Sequence, residues 1–294
     1  MAWINFQRGE KIKAKEVKLM RAVLIALSLL LVTANSGLAK GAPVKKTPTQ
    51  HQENRKTKSS DELQVPNSVA NISKENTYPN PAQSEPELRP SPLAEELTKS
   101  SNVDIENPTL IRLLNETDIH TTKWAIGYHA RIYLGKWALN YESEKTTVNW
   151  EYKPVNENIL DNRGGKTFQK MTYTQEKQEK VEGGLTSNIE DESEVQKLMM
   201  IKASQKTALP LGFKTYVGRG TKIERVYNVE PKKLGHLRGY VPAVNEKGKV
   251  TFGEVYLVLK GGHKKIEVKN ITQHGIGAWI PIQDHVALRY HVSN

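Results

Sequence analysis

The chain of 294 residues contains no cysteine. This absence excludes disulfides, thiol nucleophiles, iron–sulfur clusters, zinc sites with thiolate ligands and the acylated cysteine of a lipoprotein. Hydrophobic residues make up 37% of the chain and aromatic residues 7%, which is low for a globular protein. The deficit is uneven along the chain, so part of the chain can still have the composition of a folded domain.

Several catalytic and metal-binding motifs are also absent. The sequence has no Gly-x-Ser-x-Gly elbow, no His-Glu-x-x-His, no calcium loop and no internal repeat. The stretch Gly164–Thr167 ends like a phosphate-binding loop, but Leu160 stands where that loop needs its first glycine, so we expect a turn between strands. His285 and His291 are six residues apart, about 20 Å along a strand, and are too far apart to share a metal. We predict no nucleotide, metal or other cofactor.

The formal charge of +11 is distributed in three blocks. Residues 1–60 contribute +9, residues 61–120 contribute −7, and residues 121–294 contribute +9. A basic chain can indicate a nucleic-acid partner. Here the first block belongs to a leader and a polar segment, and the other two nearly cancel. We therefore predict no nucleic-acid partner.

The first block has the layout of an export signal. Residues 22–39 carry no charge and follow five basic residues, Lys11, Lys13, Lys15, Lys18 and Arg21. The strongly apolar part, Ala22–Val32, is too short to span a bilayer of about 30 Å. We predict that residues 1–39 are a signal peptide cleaved after Ala39, with Met20 as an alternative start. The competing interpretation is an uncleaved signal anchor with a cytoplasmic leader.

Composition divides the exported part into three. Residues 40–64 are polar and basic and predict a disordered tether. Its basic side chains would lie along an anionic membrane or wall surface, and the alternative is a solvated tail with no partner. Residues 65–90 predict an extended arm, and residues 91–294 predict a globular α+β domain. Ser91 and Asn107, each followed by proline, predict the starts of two short helices. Asp191 and Glu194 predict the capped start of a longer helix.

The rest of the domain is predicted to be mostly strand. From Trp124 to Leu134 the even positions are apolar or aromatic, and at Gly135 the phase changes, which predicts a hairpin or a bulge. Further strands are predicted at Thr167–Gln175, Leu211–Val217, Arg225–Val229, Gly239–Val244, Val250–Lys260, Lys264–Asn270 and Gly277–Val292. Turns are predicted between them, including one at residues 245–248. The fold class is a single strand-dominated α+β domain, mainly antiparallel, as a sandwich or a strongly curved sheet with about three short helices.

Several stretches occur in the order found in one family. They are residues 71–81, 161–165, 206–213, 227–233, 243–249 and 275–281. From about residue 65 to residue 294 the chain thereby resembles the YfkD-like family, exported proteins of Gram-positive, spore-forming bacteria. The resemblance implies a place in the cell envelope. It implies no activity, ligand or site residue.

Aromatic residues are concentrated between Trp124 and Tyr152. Trp124, Tyr128 and Trp137 alternate with aliphatic residues, which favours a place in the core. Tyr133 and Trp150 lie outside this apolar phase, and together with the cation Arg131 they are the candidates for surface binding.

Two hypotheses about function remain open. The first is an exported, non-enzymatic binding or structural module of the cell envelope, with a cell-wall polymer or the membrane surface as partner. The alternative is a hydrolase or modifying enzyme of a wall polymer, whose catalytic residues are unknown. Convergence in a cleft of two or more of seven side chains would favour the enzyme. These side chains are His129, His236, His274, His285, Asp161, Asp284 and Glu254.

Overall fold

The computed structural model describes residues 64–81, 88–117, 119 and 129–294. All of these residues lie in one compact unit of the chain, residues 59–294. The predicted signal peptide and nearly all of the predicted tether lie outside the described residues, as do Trp124 and Tyr128. Among the described residues, no helix has the length and hydropathy needed to cross a membrane.

Three helices are described, and two begin as predicted. Helix α1 is Pro92–Lys99, and the Ser91 hydroxyl accepts a hydrogen bond from the Ala94 amide at 3.2 Å. Helix α2 is Pro108–Glu116, where the Asn107 side chain accepts from the amides of Thr109 and Leu110. In each case the cap satisfies backbone donors that have no partner inside the helix.

Helix α3 is Glu192–Thr207, and its predicted side-chain cap is wrong. Asp191 has a φ of 50° and makes no side-chain hydrogen bond to the helix. A capping side chain reaches the first-turn amides from an extended backbone, and the left-handed conformation of Asp191 does not provide this geometry.

Ten strands are described in chain order. They are β1 Val69–Asn71, β2 His129–Asp161, β3 Gln169–Thr174, β4 Glu179–Glu182, β5 Gly184–Leu185, β6 Lys214–Val217, β7 Lys222–Val229, β8 Leu234–Lys260, β9 His263–Pro281 and β10 His285–Ser293. Six of them form one antiparallel sheet in the order β1-β10-β8-β9-β5, with β2 paired along β8. The pairs β3–β7 and β4–β6 form two separate ribbons. The large sheet curls into a half-barrel, so the predicted class is confirmed in its strongly curved form.

Strand β8 is continuous through residues 245–248, where a turn was predicted, so that prediction is wrong. Glu246 points into the core, where three hydroxyl groups bind its carboxyl group. Gly248 packs so closely that a Cβ would overlap the Glu142 carbonyl oxygen. Glycine serves here for close packing, which removes its value as a turn signal. Gly135, by contrast, lies at a predicted irregularity, a bulge in β2 with a φ of 114°.

Three hydrophobic clusters lie along β8, and they alternate between its two faces. Leu237, with an odd number, packs with the two ribbons. Val250 and Phe252, with even numbers, pack on the opposite face with α3. Val255 and Leu257 return to the first face and pack with α1 and α2. Because side chains alternate along a strand, the ribbons and the α1–α2 pair cover one face of β8 at its two ends, and α3 covers the other face between them.

The first part of the predicted arm, residues 65–81, contains β1 and lies against the sheet. Asn76 and Asn80 both donate hydrogen bonds to the Asp284 carboxyl group, at 2.9 and 2.8 Å. The same two side chains accept hydrogen bonds from the amides of Gly218 and Tyr216. These paired amide contacts fix the path of the arm across β6 and the β9–β10 turn.

Candidate functional site

The even-numbered face of β8 extends beyond the cluster under α3 and is partly open at the end near the β8–β9 hairpin. Strand pairing places six residues there together, and we name them the hairpin-end face. They are Arg131, Tyr133, Tyr256, Val258, Lys260 and Lys265. Arg131, Val258 and Lys265 lie directly opposite one another on three strands, and Tyr133 lies opposite Tyr256.

Two tyrosine rings and an arginine contact one another on this face. Tyr133 is 56% exposed, and its ring centroid lies 5.1 Å from that of Tyr256. The Arg131 guanidinium lies 4.7 Å from the Tyr256 ring and 2.8 Å from a Glu267 carboxyl oxygen. The Tyr256 hydroxyl donates to Glu254 at 2.8 Å, and this hydrogen bond raises the pKa of Tyr256. Tyr256 therefore remains neutral, and its ring carries the Arg131 cation on one face.

Free cations lie beside this pair. A half-open depression at the hairpin is lined by Val258, Lys260, Gly261, His263, Lys264 and Lys265. Lys264 pairs with Glu96 at 3.3 Å. Within the described part of the chain, Lys260 and Lys265 have no ion-pair partner. An anionic group that entered the depression would therefore meet lysines whose charge is not already compensated.

The structure brings together two of the three predicted binding residues. Arg131 and Tyr133 lie on the hairpin-end face, whereas Trp150 is only partly exposed and packs against the cluster under α3. Trp150 therefore lies outside the hairpin-end face, and its part in binding stays a prediction. A bulge in β2 between Ser143 and Lys145 moves the buried phase from odd to even positions, so Trp150 packs inward in the same phase as Val148. Trp137 was predicted in the core and packs there, against the α1–α2 cluster.

Sequence reasoning missed a buried polar cluster at the centre of the sheet. Glu246 is fully buried and accepts hydrogen bonds from Tyr141 at 3.1 Å, from Thr146 at 2.6 Å and from Ser143. Lys206 of α3 donates to the Ser143 hydroxyl at 2.7 Å. Burial, reinforced by Glu246, raises the pKa of Tyr141, so its hydroxyl remains a donor.

The hydroxyl groups around Glu246 satisfy both of its carboxyl oxygens, which is the pattern of a structural network. One sequence signal could have revealed it. Glu246 lies in the same alternating phase as Val244, Val250 and Phe252, which are all buried. A strand that continued through residues 245–248 would have placed it in the core.

A second missed cluster lies at the other end of the same face of β8. His236 of β8 lies opposite His291 of β10, and their rings stack with centroids 4.6 Å apart at 8°. His236 Nδ1 lies 3.0 Å from Glu157, and Arg238 donates to the same carboxyl oxygen at 2.9 Å. Burial by itself would raise the pKa of Glu157, but the hydrogen bonds from Arg238 and His236 lower it. Nothing in the sequence fixes the cross-strand register that joins these residues.

The connection from Glu157 through His236 to Ser293 has the order of a catalytic triad, with the Ser293 hydroxyl 3.4 Å from His236 Nε2. Ser293 is exposed near the end of β10. A hydrolytic site also needs a cleft for its substrate and donors for an oxyanion, and three contacts in this order supply neither. The order of contacts therefore does not define a hydrolytic site.

The seven side chains proposed for an enzyme do not converge. His285 is buried with Nδ1 2.7 Å from the Gln283 carbonyl oxygen, and Asp284 binds the arm. Asp161 binds Arg163 within a turn. In the described parts of the chain, no hydrogen bond or ion pair joins any two of the seven.

The fold and these clusters define a strand-dominated antiparallel half-barrel with an aromatic and basic face at one end. The family model for YfkD-like protein matches residues 66–294. "Uncharacterized protein YfkD" of Bacillus subtilis (strain 168) is 58% identical over 233 residues, which cover 79% of this chain and 88% of the relative. No solved structure matches the chain. The chain belongs to the YfkD-like family, so the resemblance found in the sequence is confirmed.

Proposed function

We propose that the protein is an exported, non-enzymatic binding module of the cell envelope that binds an anionic envelope polymer through the hairpin-end face. The observation that supports this most directly is the contact of Arg131, Tyr256 and Tyr133 beside Lys260 and Lys265, which have no ion-pair partner among the described residues. An exposed aromatic ring contacts a sugar or polyol face, and uncompensated lysines bind phosphate or carboxylate groups.

Export is proposed from the leader alone. The uncharged residues 22–39 follow a basic segment, and the small residues Gly37 and Ala39 suit cleavage before Lys40. After cleavage, the basic tether would keep the domain close to an anionic surface. An uncleaved signal anchor would hold the domain on the same side of the membrane. Cell fractionation with N-terminal sequencing distinguishes the two forms and also identifies the start codon. Recovery of the intact protein from the cytoplasm would contradict export.

Binding is tested by co-sedimentation of the full chain with purified cell walls at low ionic strength. The variant Lys260→Gln/Lys265→Gln removes both lysine charges and keeps a polar side chain at each position. Since a lysine near an anionic surface contributes about 1 kcal/mol, we expect affinity to fall about tenfold or more. Tyr133→Ala should weaken binding less, and added salt should weaken the wild type progressively.

The matched control is Lys170→Gln/Lys222→Gln, which removes two exposed lysines from the β3–β7 ribbon. This control should bind walls as the wild type does. Equal losses in the two double variants would show attraction by net charge alone and would contradict a specific face. Preferential binding to anionic lipid vesicles would assign the face to the membrane instead of to a polymer.

A further inference from the structure

The two stacked histidines present ring nitrogens at an open place on the sheet. His291 is exposed on β10, and the side chain of His236 is 17% exposed. The β8–β10 pairing holds them directly opposite each other, so their relative position depends on backbone hydrogen bonds and not on flexible loops. Imidazole nitrogen is a ligand that copper, zinc and nickel ions favour, and two are available here on neighbouring strands.

The contacts of His236 leave its Nε2 nitrogen as the one that can bind a metal. Its Nδ1 lies against the Glu157 carboxyl group, which itself is fixed by Arg238. This arrangement places the ring proton on Nδ1 and leaves the lone pair on Nε2, on the side of the exposed Ser293 hydroxyl. A carboxyl group behind a histidine is the usual second shell of a histidine metal ligand, where it fixes the tautomer and raises ligand basicity.

We infer that His236 and His291 bind one divalent transition ion of the copper(II) type, with Glu157 as the positioning residue behind His236. No three potential ligands converge anywhere in the described part of the chain, so the two imidazoles bind the ion and water completes its coordination. The rings are stacked nearly parallel, so the exposed His291 side chain leaves the stack for another rotamer to direct its lone pair at the ion held by His236. Copper(II) is favoured because it binds nitrogen ligands more tightly than the other divalent first-row metals.

The test uses the full chain without a histidine tag, because a tag would supply competing imidazoles. Copper(II) alone is titrated, its affinity is measured by competition with a chelator of known affinity, and electron paramagnetic resonance counts the bound nitrogens. The wild type should bind one equivalent with two nitrogen ligands. His291→Gln should remove one nitrogen and weaken binding about tenfold or more, and Glu157→Gln should weaken binding by about 10- to 100-fold with both nitrogens retained.

The matched control is His263→Gln, which removes an exposed histidine at the β8–β9 hairpin. It should bind copper as the wild type does. An unchanged affinity in His291→Gln would overturn the inference, as would an equal loss in the control, since either result indicates scattered surface binding. His291 is exposed near the end of β10, so this variant should fold even if substitution of His236 does not, and circular dichroism verifies it.

Discussion

At the scale of single residues, Glu246 fixes the local arrangement of β2 against β8. Its two carboxyl oxygens accept from Tyr141, Ser143 and Thr146, which lie on both sides of a bulge in β2. The bulge brings hydroxyl groups from three positions to one acceptor. Lys206 then extends the network to the last turn of α3 through Ser143. One buried side chain thus connects two strands and a helix.

Replacement of Glu246 by glutamine should destabilise the domain. The amide presents a donor where hydroxyl donors already point, so at least one buried donor loses its partner, at a cost of about 1–3 kcal/mol. Glu246→Ala should cost more, because it leaves all three hydroxyl groups without their acceptor and creates a cavity. The free energy of unfolding in urea measures both effects. The control is Glu144→Gln, which removes an exposed ion pair with Lys249 and should change stability by less than about 1 kcal/mol. A wild-type midpoint for Glu246→Gln would refute this account.

Asp161 gives a prediction about acid stability. The Arg163 side chain, aided by the Arg163 amide, lowers the pKa of Asp161 to about 2 from an ordinary value of 3.8. A lowered carboxyl pKa stabilises the fold above the ordinary value, and this stabilisation is lost as pH falls from 3.8 towards 2. Asp161→Asn lacks this titration, so its stability should fall less than that of the wild type between pH 4 and pH 2. Denaturant titrations at several pH values measure the difference, and parallel curves would contradict the prediction.

Single residues also show what the sequence could and could not predict about the candidate site. The exposure of Tyr133 was predictable because it depends on alternation along one strand. The partial burial of Trp150 was not predictable, because a bulge in β2 between Ser143 and Lys145 changes which side of the strand the later side chains face. The pairing of His236 with His291 depends on the register of two strands more than fifty residues apart, which local pattern cannot supply.

At the scale of elements, the short helices were predictable and the long strands were not. The caps at Ser91 and Asn107 are local chemistry, and each proline after them fixes a helical φ. Strand β8 passes through Asn245–Gly248, residues that favour a turn when only local preference acts. The buried hydrogen bonds of Glu246 and the close packing of Gly248 override that preference, and both are tertiary contacts.

Asn107 connects an element to the sheet, and its loss should cost more than that of an ordinary cap. Its side chain accepts from two amides of α2 and donates to the Ala138 carbonyl oxygen of β2 at 2.8 Å, all while buried. Asn107→Ala should lose about 1 kcal/mol from the cap and a further 1–2 kcal/mol, roughly, from the unsatisfied carbonyl. Ser91→Ala, which removes only a cap of α1, should lose about 1 kcal/mol. Thermal and urea unfolding measure both variants. Equal losses would show that the bond to β2 contributes nothing.

At the scale of the whole molecule, one strand contributes to all three hydrophobic clusters. Leu237, Val250 and Leu257 lie in three different clusters along the same continuous backbone. Each cluster also depends on β2 or β9, which pair with β8 by backbone hydrogen bonds over long runs. Opening the middle of β8 would therefore expose apolar surface on both faces and break the support of the two outer clusters.

This arrangement predicts that the described domain unfolds as one cooperative unit. Leu198→Ala, in α3 over the central cluster, should cost about 2–5 kcal/mol. If the unit is cooperative, native-state hydrogen exchange should report the same fall in the free energy of opening for the slowest amides in all three clusters. These are the amides around Leu237, Val250 and Leu257. The control is Ile271→Ala, at a side chain that is 45% exposed on β9, which should leave these amides nearly unchanged. If only the amides near Val250 exchanged faster, the clusters would be independent and β8 would not couple them.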